Sequence, residues 1–464
     1  MVLAKIFKEV SMKRFLALAL TIIMLSGIVF AAGTQEQATA AVKVQWLPAV
    51  QRITAKEYQL PPGALDAIKA EGTKKLIIYN WGDLSFDPAT VLNGKRFTEL
   101  TGVEIEWVGT PDEQMMPKLQ PLFMAKSDEV DIVPLDATNY RTFVDNGWLL
   151  DLSEMWDGET LNLYQAGIKG VVIDGKHFSV PQVARVTDMM YYRPSMLKAA
   201  GYSAPPTTLD ELVEMSVKLT KDVDGNGSID QWGHAFRAGG VLDGAEVIKS
   251  ITLLYGINPD NYNGKVNYNN PETVKAVQHL VDLRNKYKVV PPGVTSYQHG
   301  EVADMFLSGN VAIVIDPTYL YGRAIESNIK DDFAIAVPPA ATKGGKVTVI
   351  QNWNGWAVSN FSKNKTAAKV FLDLYRSYQS QVNEFILENN EVMLLAAYED
   401  PKAKELGYAA VLAQLPTTVV DVYQGQGEVY KNVIAEFQNA LIGRKTAKQA
   451  MDDAQKQIDK IMGY

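Results

Sequence analysis

Between residues 74 and 136 the chain alternates between two periodicities, and no other feature restricts its fold so much. KKLIIYNWGD (74–83) is apolar and β-branched and ends in turn residues, the pattern of a buried strand. TVLNGKRFTELTG (90–102) follows as a helix, VEIEWVG (103–109) as a strand, EQMMPKLQPLFMA (113–125) as a helix, and DEVDIVPLD (128–136) as a third strand closing on an acidic residue. Strand, helix, strand, helix, strand is the rhythm of a parallel α/β sheet. Ligands gather at the carboxyl ends of such strands, where Trp81, Asp83, Asp136 and Thr138 stand here.

A second α/β section follows. A strand pair is expected within 175–197, and amphipathic helices over 207–222, with Thr207 or Thr208 as N-cap, and over 271–287. Residues 301–322 read as helix, Gly-Asn turn and the strand VAIVID; DFAIAVPPA and KVTVIQNWNGWAVS read as strands, and the chain is mostly helical from Lys365. No internal repeat, heptad run or low-complexity tract is present. With 464 residues, 47% hydrophobic and 21% charged, the chain has the composition of a soluble globular protein of two or three domains.

Several chemistries are excluded. There is no cysteine, hence no disulfide, thiolate nucleophile or Cys-ligated metal. The four histidines (His177, His234, His279, His299) show no metal-ligand spacing, and a net charge of −8 argues against nucleic acid as a partner. Lys5, Lys8, Lys13 and Arg14 precede the apolar run 15–30, and small residues follow: the grammar of a secretory signal peptide, 1–31, with Met12 as an alternative start. The competing reading is a membrane anchor, for which the run is slightly short. Cleavage after Ala31 removes four positive charges and Glu9, so −8 becomes about −11. A lipid anchor needs a cysteine after the run, so the mature chain is expected free and soluble in the periplasm or extracellular space. Residues 32–72 are polar and read as a tether or short peripheral helix.

The stretch DVDGNGSID (222–230) begins like a calcium loop, with Asp222, Asp224, Asn226, the Ser228 carbonyl and Asp230 at positions 1, 3, 5, 7 and 9. Position 12, where a sensor carries a bidentate Glu, is Gly233, and there is no second loop. That excludes a calcium sensor and leaves a structural Ca²⁺ or a metal-free Asx-type turn.

Taken in order, these segments resemble the extracellular solute-binding proteins of sugar ABC transporters, the maltose-binding-protein family, from about residue 74 to the C-terminus. The resemblance is carried by KLIIYNWGD, FTELTGVEIEWVGTPDEQMMPKLQ, EVDIVPLDATNYRTFVDNGWLLDLS, DGKHFSVPQVARVTDMMYYRPSMLKAAGYSAPPTTLDEL, SGNVAIVIDPTY, NWNGWAVSNFSKNKTAAKVFLDL and AEFQNALIGRKTAKQAMDDAQKQIDKIM. It implies an α/β, two-lobed, type II periplasmic-binding-protein-like fold, with a ligand cleft between lobes joined by hinge crossings. Lobe one would be 73–184 plus 349–405, and lobe two 185–348 plus 406–464.

Sugars are held by carboxylates and amides on their hydroxyls and by aromatic rings on their C–H faces. The resemblance places Trp81, Asp83, Glu113, Gln114, Asp136 and Thr138 on lobe one's side of the cleft, Arg185 and Asp188 near the first crossing, and Trp353, Asn354 and Trp356 near the second. Tyr319 and Tyr430 stand where the family's maltose binder has stacking tryptophans. Core packing is the alternative for each aromatic, a salt bridge for Arg185, a hydrogen bond to nearby backbone for Asp188 and solvated surface for Glu113 and Asp136. Trp148, Trp156 and Trp232 are assigned away from the cleft. The implied function is capture of a mono- or oligosaccharide by lobe closure and delivery to an ABC permease, by a monomer that requires no cofactor, the structural Ca²⁺ of 222–230 remaining one of that loop's two readings. The alternatives are a charged solute (a glycerol phosphodiester or a polyamine) and, from another class, a secreted glycoside hydrolase, for which no acid pair of fixed spacing can be named.

Overall fold

The computed structural model describes residues 43–82, 88–165, 168, 171–388, 390–405 and 417–464. Its strands are β1 (Lys75–Trp81), β2 (Glu104–Thr110), β3 (Ile132–Asp136), β4 (Val172–Ile173), β5 (Lys176–His177), β6 (Val180–Val186), β7 (Met189–Tyr192), β8 (Trp232–Ala235), β9 (Val311–Asp316), β10 (Ala334–Ala336), β11 (Val349–Val358) and β12 (Thr418–Val419). The three strands expected in 74–136 are β1 to β3. β1 pairs in parallel with β2, Lys75 opposite Glu104 and Trp81 opposite Thr110, and with β3 on its other edge. The helices Pro88–Thr101 and Asp112–Met124 make the crossovers.

Two sheets organise the body. The first runs β12-β11-β3-β1-β2, with β6 also paired to β11; the second runs β10-β7-β9-β8. β11 is antiparallel to both β3 and β6, so it is a central strand. Among the described residues the chain passes between the sheets three times: at Thr187–Asp188 from β6 to β7, at 337–348 from β10 to β11, and after β12, whose continuation Gln426–Leu441 packs into the second sheet's helical core. β6 carries the first sheet to Val186, and β12 returns to it at Thr418–Val419.

The helix Val241–Leu254, not foreseen in the sequence, is buried at every residue from Asp243 to Leu254. It packs on Pro271–Asn285 and Gln426–Leu441 and touches β11 of the other sheet. Of the two readings of the N-terminal segment, tether or short peripheral helix, the structure takes the second. Residues 43–72 are not a loose tether: they form the helices Val50–Thr54 and Ala64–Glu71 and bury Trp46, Ile53, Tyr58 and Ile68. The reason lies at Asp373, a fully buried carboxylate that accepts from Arg52 Nε (2.9 Å), Tyr58 Oη (2.7 Å) and Arg376 Nη2 (2.7 Å). An unpaired charge there would be costly, so the segment that supplies its donors is held. No described helix is long and apolar enough to cross a membrane; residues 1–31 lie outside the described part.

Candidate functional site

The carboxyl ends of β1 and β3 place the first residues. Trp81 ends β1 half-buried, and Gly82 turns the chain away at φ +67°, a conformation a side chain would strain. Asp136 ends β3 opposite Asn354 of β11, and its Oδ1 accepts from the Asn139 amide (3.0 Å). Gln114 is exposed on the helix Asp112–Met124. Asp83 lies outside the described residues, as do the side chains of Glu113, Thr138 and Arg185.

Four expected contacts turn out otherwise. Trp353 and Trp356 are fully buried: Trp353 stands edge-on to Tyr140 with centroids 5.0 Å apart, and Trp356 packs against Tyr375 at 5.6 Å and Trp107 at 6.3 Å. Both indoles are core side chains because β11 is covered on both faces. Tyr430 is buried too, its hydroxyl donating to Asp260 Oδ2 (2.6 Å). Asp188 is a structural peg at the first crossing: it accepts from Ser250 Oγ and, at 3.0 Å, from the Ile350 amide. Trp148 and Trp156, assigned away from the cleft, are buried against Phe123 and Tyr164.

Sequence reasoning missed the set of charges between the sheets. Arg237, 1% exposed, donates from Nη1 to His299 Nδ1 (2.6 Å), with Asp316 Oδ1 3.4 Å from its Nε and Glu246 Oε2 3.7 Å from its Nη1. His299 Nε2 meets Asp243 Oδ1 at 2.8 Å. Asn352 of β11 donates to Glu246 Oε1, so the cluster is tied to the first sheet. Tyr319, half-buried, stands edge-on to the His299 ring at 5.4 Å and donates to the His299 carbonyl (2.5 Å). Asp316 ends β9, so the strand-end rule applied to the second sheet would have found it.

Burial sets the electrostatics. Desolvation pushes the Glu246 carboxyl up to about 7, against the pull of Arg237 and His299. Desolvation raises Asp188 as well, although Ser250 and the Ile350 amide oppose it. At His299, burial and then Arg237 disfavour the charged ring, but Asp243 and Asp316 outweigh both and raise its pKa. Asp243, Glu246 and His299 lie close enough to share a metal ion, with ligand atoms within 4.8 Å of one another. The Arg237 guanidinium in their midst already supplies the positive charge, which argues against a cation there. The arrangement offers buried acceptors and half-buried rings, equipment for binding hydroxyls and sugar faces.

At 222–230 the carboxylates Asp222, Asp224 and Asp230 converge. Asp222 accepts from the amides of Gly225 (2.7 Å), Asn226 (3.1 Å) and Gly227 (2.7 Å), and Asp230 from that of Val223 (2.7 Å). Asn226 Oδ1 accepts from the Ser228 amide (2.8 Å). These bonds, Gly227 first, hold Asp222 below the usual carboxylate range. A Cβ on Gly233 would fall 2.1 Å from the Ser216 carbonyl oxygen, so position 12 admits no carboxylate. The donor set fits a calcium ion only in part.

Residues 85–382 match the family model described as bacterial extracellular solute-binding protein. The chain is 25% identical over 370 residues to a probable ABC transporter-binding protein of Deinococcus radiodurans (77% of this chain, 86% of that one). It is 22% identical over 380 residues to the arabinooligosaccharide-binding protein of Bacillus subtilis (76% and 84%). Among solved structures, maltose-bound MalE3 of T. maritima superposes with a TM-score of 0.75 at 24% identity, covering 83% of this chain and 99% of that one. A Thermotoga lettingae solute-binding protein bound to α-D-tagatose gives 0.74 at 19% identity, covering 84% and 100%. These likenesses fix the fold as the two-lobed type II arrangement, and the chain belongs to the bacterial extracellular solute-binding proteins.

Proposed function

We propose that this protein captures a sugar or a related polyol between its lobes and hands it to the membrane permease of an ABC importer. The observation that carries the reading is the bridge between the sheets: Asn352 of β11 bonds Glu246 beside Arg237, Asp243 and Asp316, with Tyr319 half-buried at its edge. Buried carboxylates and amides take hydroxyls pairwise, and ring faces take C–H surface. The relatives point the same way, one named for arabinooligosaccharides and others solved with maltose, tagatose or mannitol. Trp81, Asp136 and Asn354 contribute from lobe one; Gln114, exposed on its helix, and Asp83, Glu113, Thr138 and Arg185 remain with them by resemblance. The lobes divide at Thr187–Asp188, 337–348 and 420–425. The protein works as a monomer outside the cytoplasm and performs no catalysis. The loop 222–230 serves as an amide-filled turn, because a calcium ion would have to compete with the backbone N–H groups that its carboxylates already accept.

The test is a thermal-shift screen of the mature chain against maltose, arabinose oligosaccharides, mannitol, glycerol phosphate and spermidine, with and without EDTA. A ligand of the folded state raises the melting temperature by mass action. A rise with a sugar or polyol supports the reading; a response confined to glycerol phosphate or spermidine replaces it with the charged-solute alternative. A ligand-free drop with EDTA would return calcium to the loop.

A further inference from the structure

One face of the helix Val241–Leu254 carries Asp243, Glu246, Lys249 and Ser250, polar residues three, three and one apart on a helix otherwise buried among apolar neighbours. Their partners share a location. Ser250 Oγ donates to Asp188 in the first crossing, and Asp188 Oδ2 accepts from the amide of Ile350, where the second crossing enters β11. Lys249 Nζ, 2% exposed, reaches Asp421 Oδ2 (2.6 Å) in the third crossing and Asp260 Oδ2 (2.8 Å) beside its own helix. Asp260 is itself fixed by the hydroxyls of Tyr268 (2.8 Å), Tyr423 (2.9 Å) and Tyr430 (2.6 Å), so Lys249 pulls against an immobile anchor. Glu246 holds Asn352, two residues further along β11. The first and third segments that pass between the sheets are thus pegged directly to one helical stripe, and the second is held where it enters β11, at Ile350 through Asp188 and at Asn352 through Glu246; each peg is a polar contact whose loss leaves a partner unsatisfied.

We propose that this stripe is the clamp that positions the lobes: Lys249 and Ser250 set the balance between open and closed forms by gripping the first and third crossings, and Glu246, bonded to Asn352 of β11, connects that grip with Asp243 to the binding cluster. The proposal rests on the solute-binding reading for its biological use, but its physical content concerns the ligand-free molecule. A ligand shifts a conformational equilibrium only by its differential affinity for the two forms, so residues that set the starting balance set how much of that affinity is consumed in closing. Lys249 and Ser250 act through Asp421 and Asp188 and are positioning residues. Asp373 and its arginines, equally buried and equally charged, bridge the N-terminal segment to the helix Lys365–Tyr375 and, among the described residues, touch no crossing, which makes that cluster the natural contrast.

The measurement is the distance between two spin labels in the ligand-free protein. The chain contains no cysteine, so Lys363→Cys on the first sheet's side and Lys275→Cys on the second label cleanly, both being exposed. Ser250→Ala and Asp421→Asn each remove one peg while leaving backbone and volume nearly intact. We expect each to change the ratio of distance populations about tenfold, equivalent to about 1.4 kcal/mol, while Glu214→Gln, on an exposed helix face of the second lobe, leaves it alone. Distributions superimposable on the parent's, in variants whose near-UV circular dichroism shows them folded, overturn the proposal. Should Ser250→Ala not fold, Asp421→Asn decides, since Asp421 is partly exposed and sits in the crossing itself. If the parent's distances ignore every solute of the thermal-shift screen while the peg variants still move the ligand-free distribution, the clamp stands and the solute-binding reading falls.

Discussion

At the scale of single residues, Glu246 makes the sharpest prediction. Its carboxyl is pushed up to about 7 by burial, from an ordinary value of 4.5. The folded form therefore binds a proton more tightly than the unfolded one, and this group's favourable contribution is complete below pH 4.5 and lost as pH rises through 7. Glu246→Gln removes that slope: urea midpoints between pH 4.5 and 7.5 should fall more gently with rising pH in the variant, by an amount corresponding to a few kcal/mol at most. Parallel curves would mean that Glu246 is not the titrating group. The same scale shows why the two tryptophans of β11 mislead a reader of the sequence. Aromatics near a strand end read as stacking surface, but Trp353 and Trp356 lie three apart on a strand paired along both edges, so they point to opposite faces, one toward Tyr140 and the other toward Tyr375. Whether a strand is central depends on which distant segments pair with it, and the local alternation does not carry that. Asp188 was legible in half: hydrogen bonding to backbone was one of its two readings, but the donor, Ile350, stands 162 positions away.

Among the elements, ends and glycines carry the testable claims. Of the two candidate caps for the helix Leu209–Leu219 the structure uses Thr208, whose hydroxyl accepts from the Glu211 amide (3.1 Å) while Glu211 reaches back to the Thr208 amide in a capping box. Thr208→Ala should lower stability by about 1 kcal/mol, read as a lower urea midpoint at unchanged slope; no change would mean that Thr207, which also bonds Glu211, caps in its place. Gly233 makes the larger claim. Its backbone lies so close to Ser216 that a Cβ would sit 2.4 Å from that residue's Cα, and neither backbone can yield as a flexible side chain would. Gly233→Ala should therefore cost several kcal/mol, on the order of the larger overpacking penalties, whereas Gly227→Ala in the loop meets no atom and strains only its φ of +90°. Most strands and helices were legible because their periodicity is clean: Pro271–Asn285 and β9 fall where alternation placed them. The helix Val241–Leu254 was not, because it is buried all round and its polar residues face a polar interior, so apolar and charged positions do not separate onto two faces.

For the molecule as a whole, the N-terminal strap, residues 43–72, was legible in part: its short helix was one of two readings, but its composition resembles a linker and does not carry its buried anchoring. Polar composition predicts a tether only if the polar groups have water for partners, and here Arg52 and Tyr58 have Asp373. Burial alone would raise the Asp373 carboxyl, but Arg376 and Arg52 overcome it and hold the group below the usual carboxylate range. That contribution is present above the unfolded value of about 3.9 and is lost as pH falls through the folded one. Arg52→Ala leaves Asp373 with Arg376 and Tyr58, so the loss should fall short of the roughly 3–5 kcal/mol typical of a stranded buried charge. If the strap is part of the same cooperative body, the variant shifts a single urea transition to lower midpoint without changing its slope, and the shift shrinks as the acid limb is approached. If a first, shallow transition separates from the main one, the strap is an independent unit laid on a finished fold. The single-transition outcome is the one the contacts favour, because Asp373 sits on the helix Lys365–Tyr375, which packs against β11, the strand through which the first sheet receives the crossings.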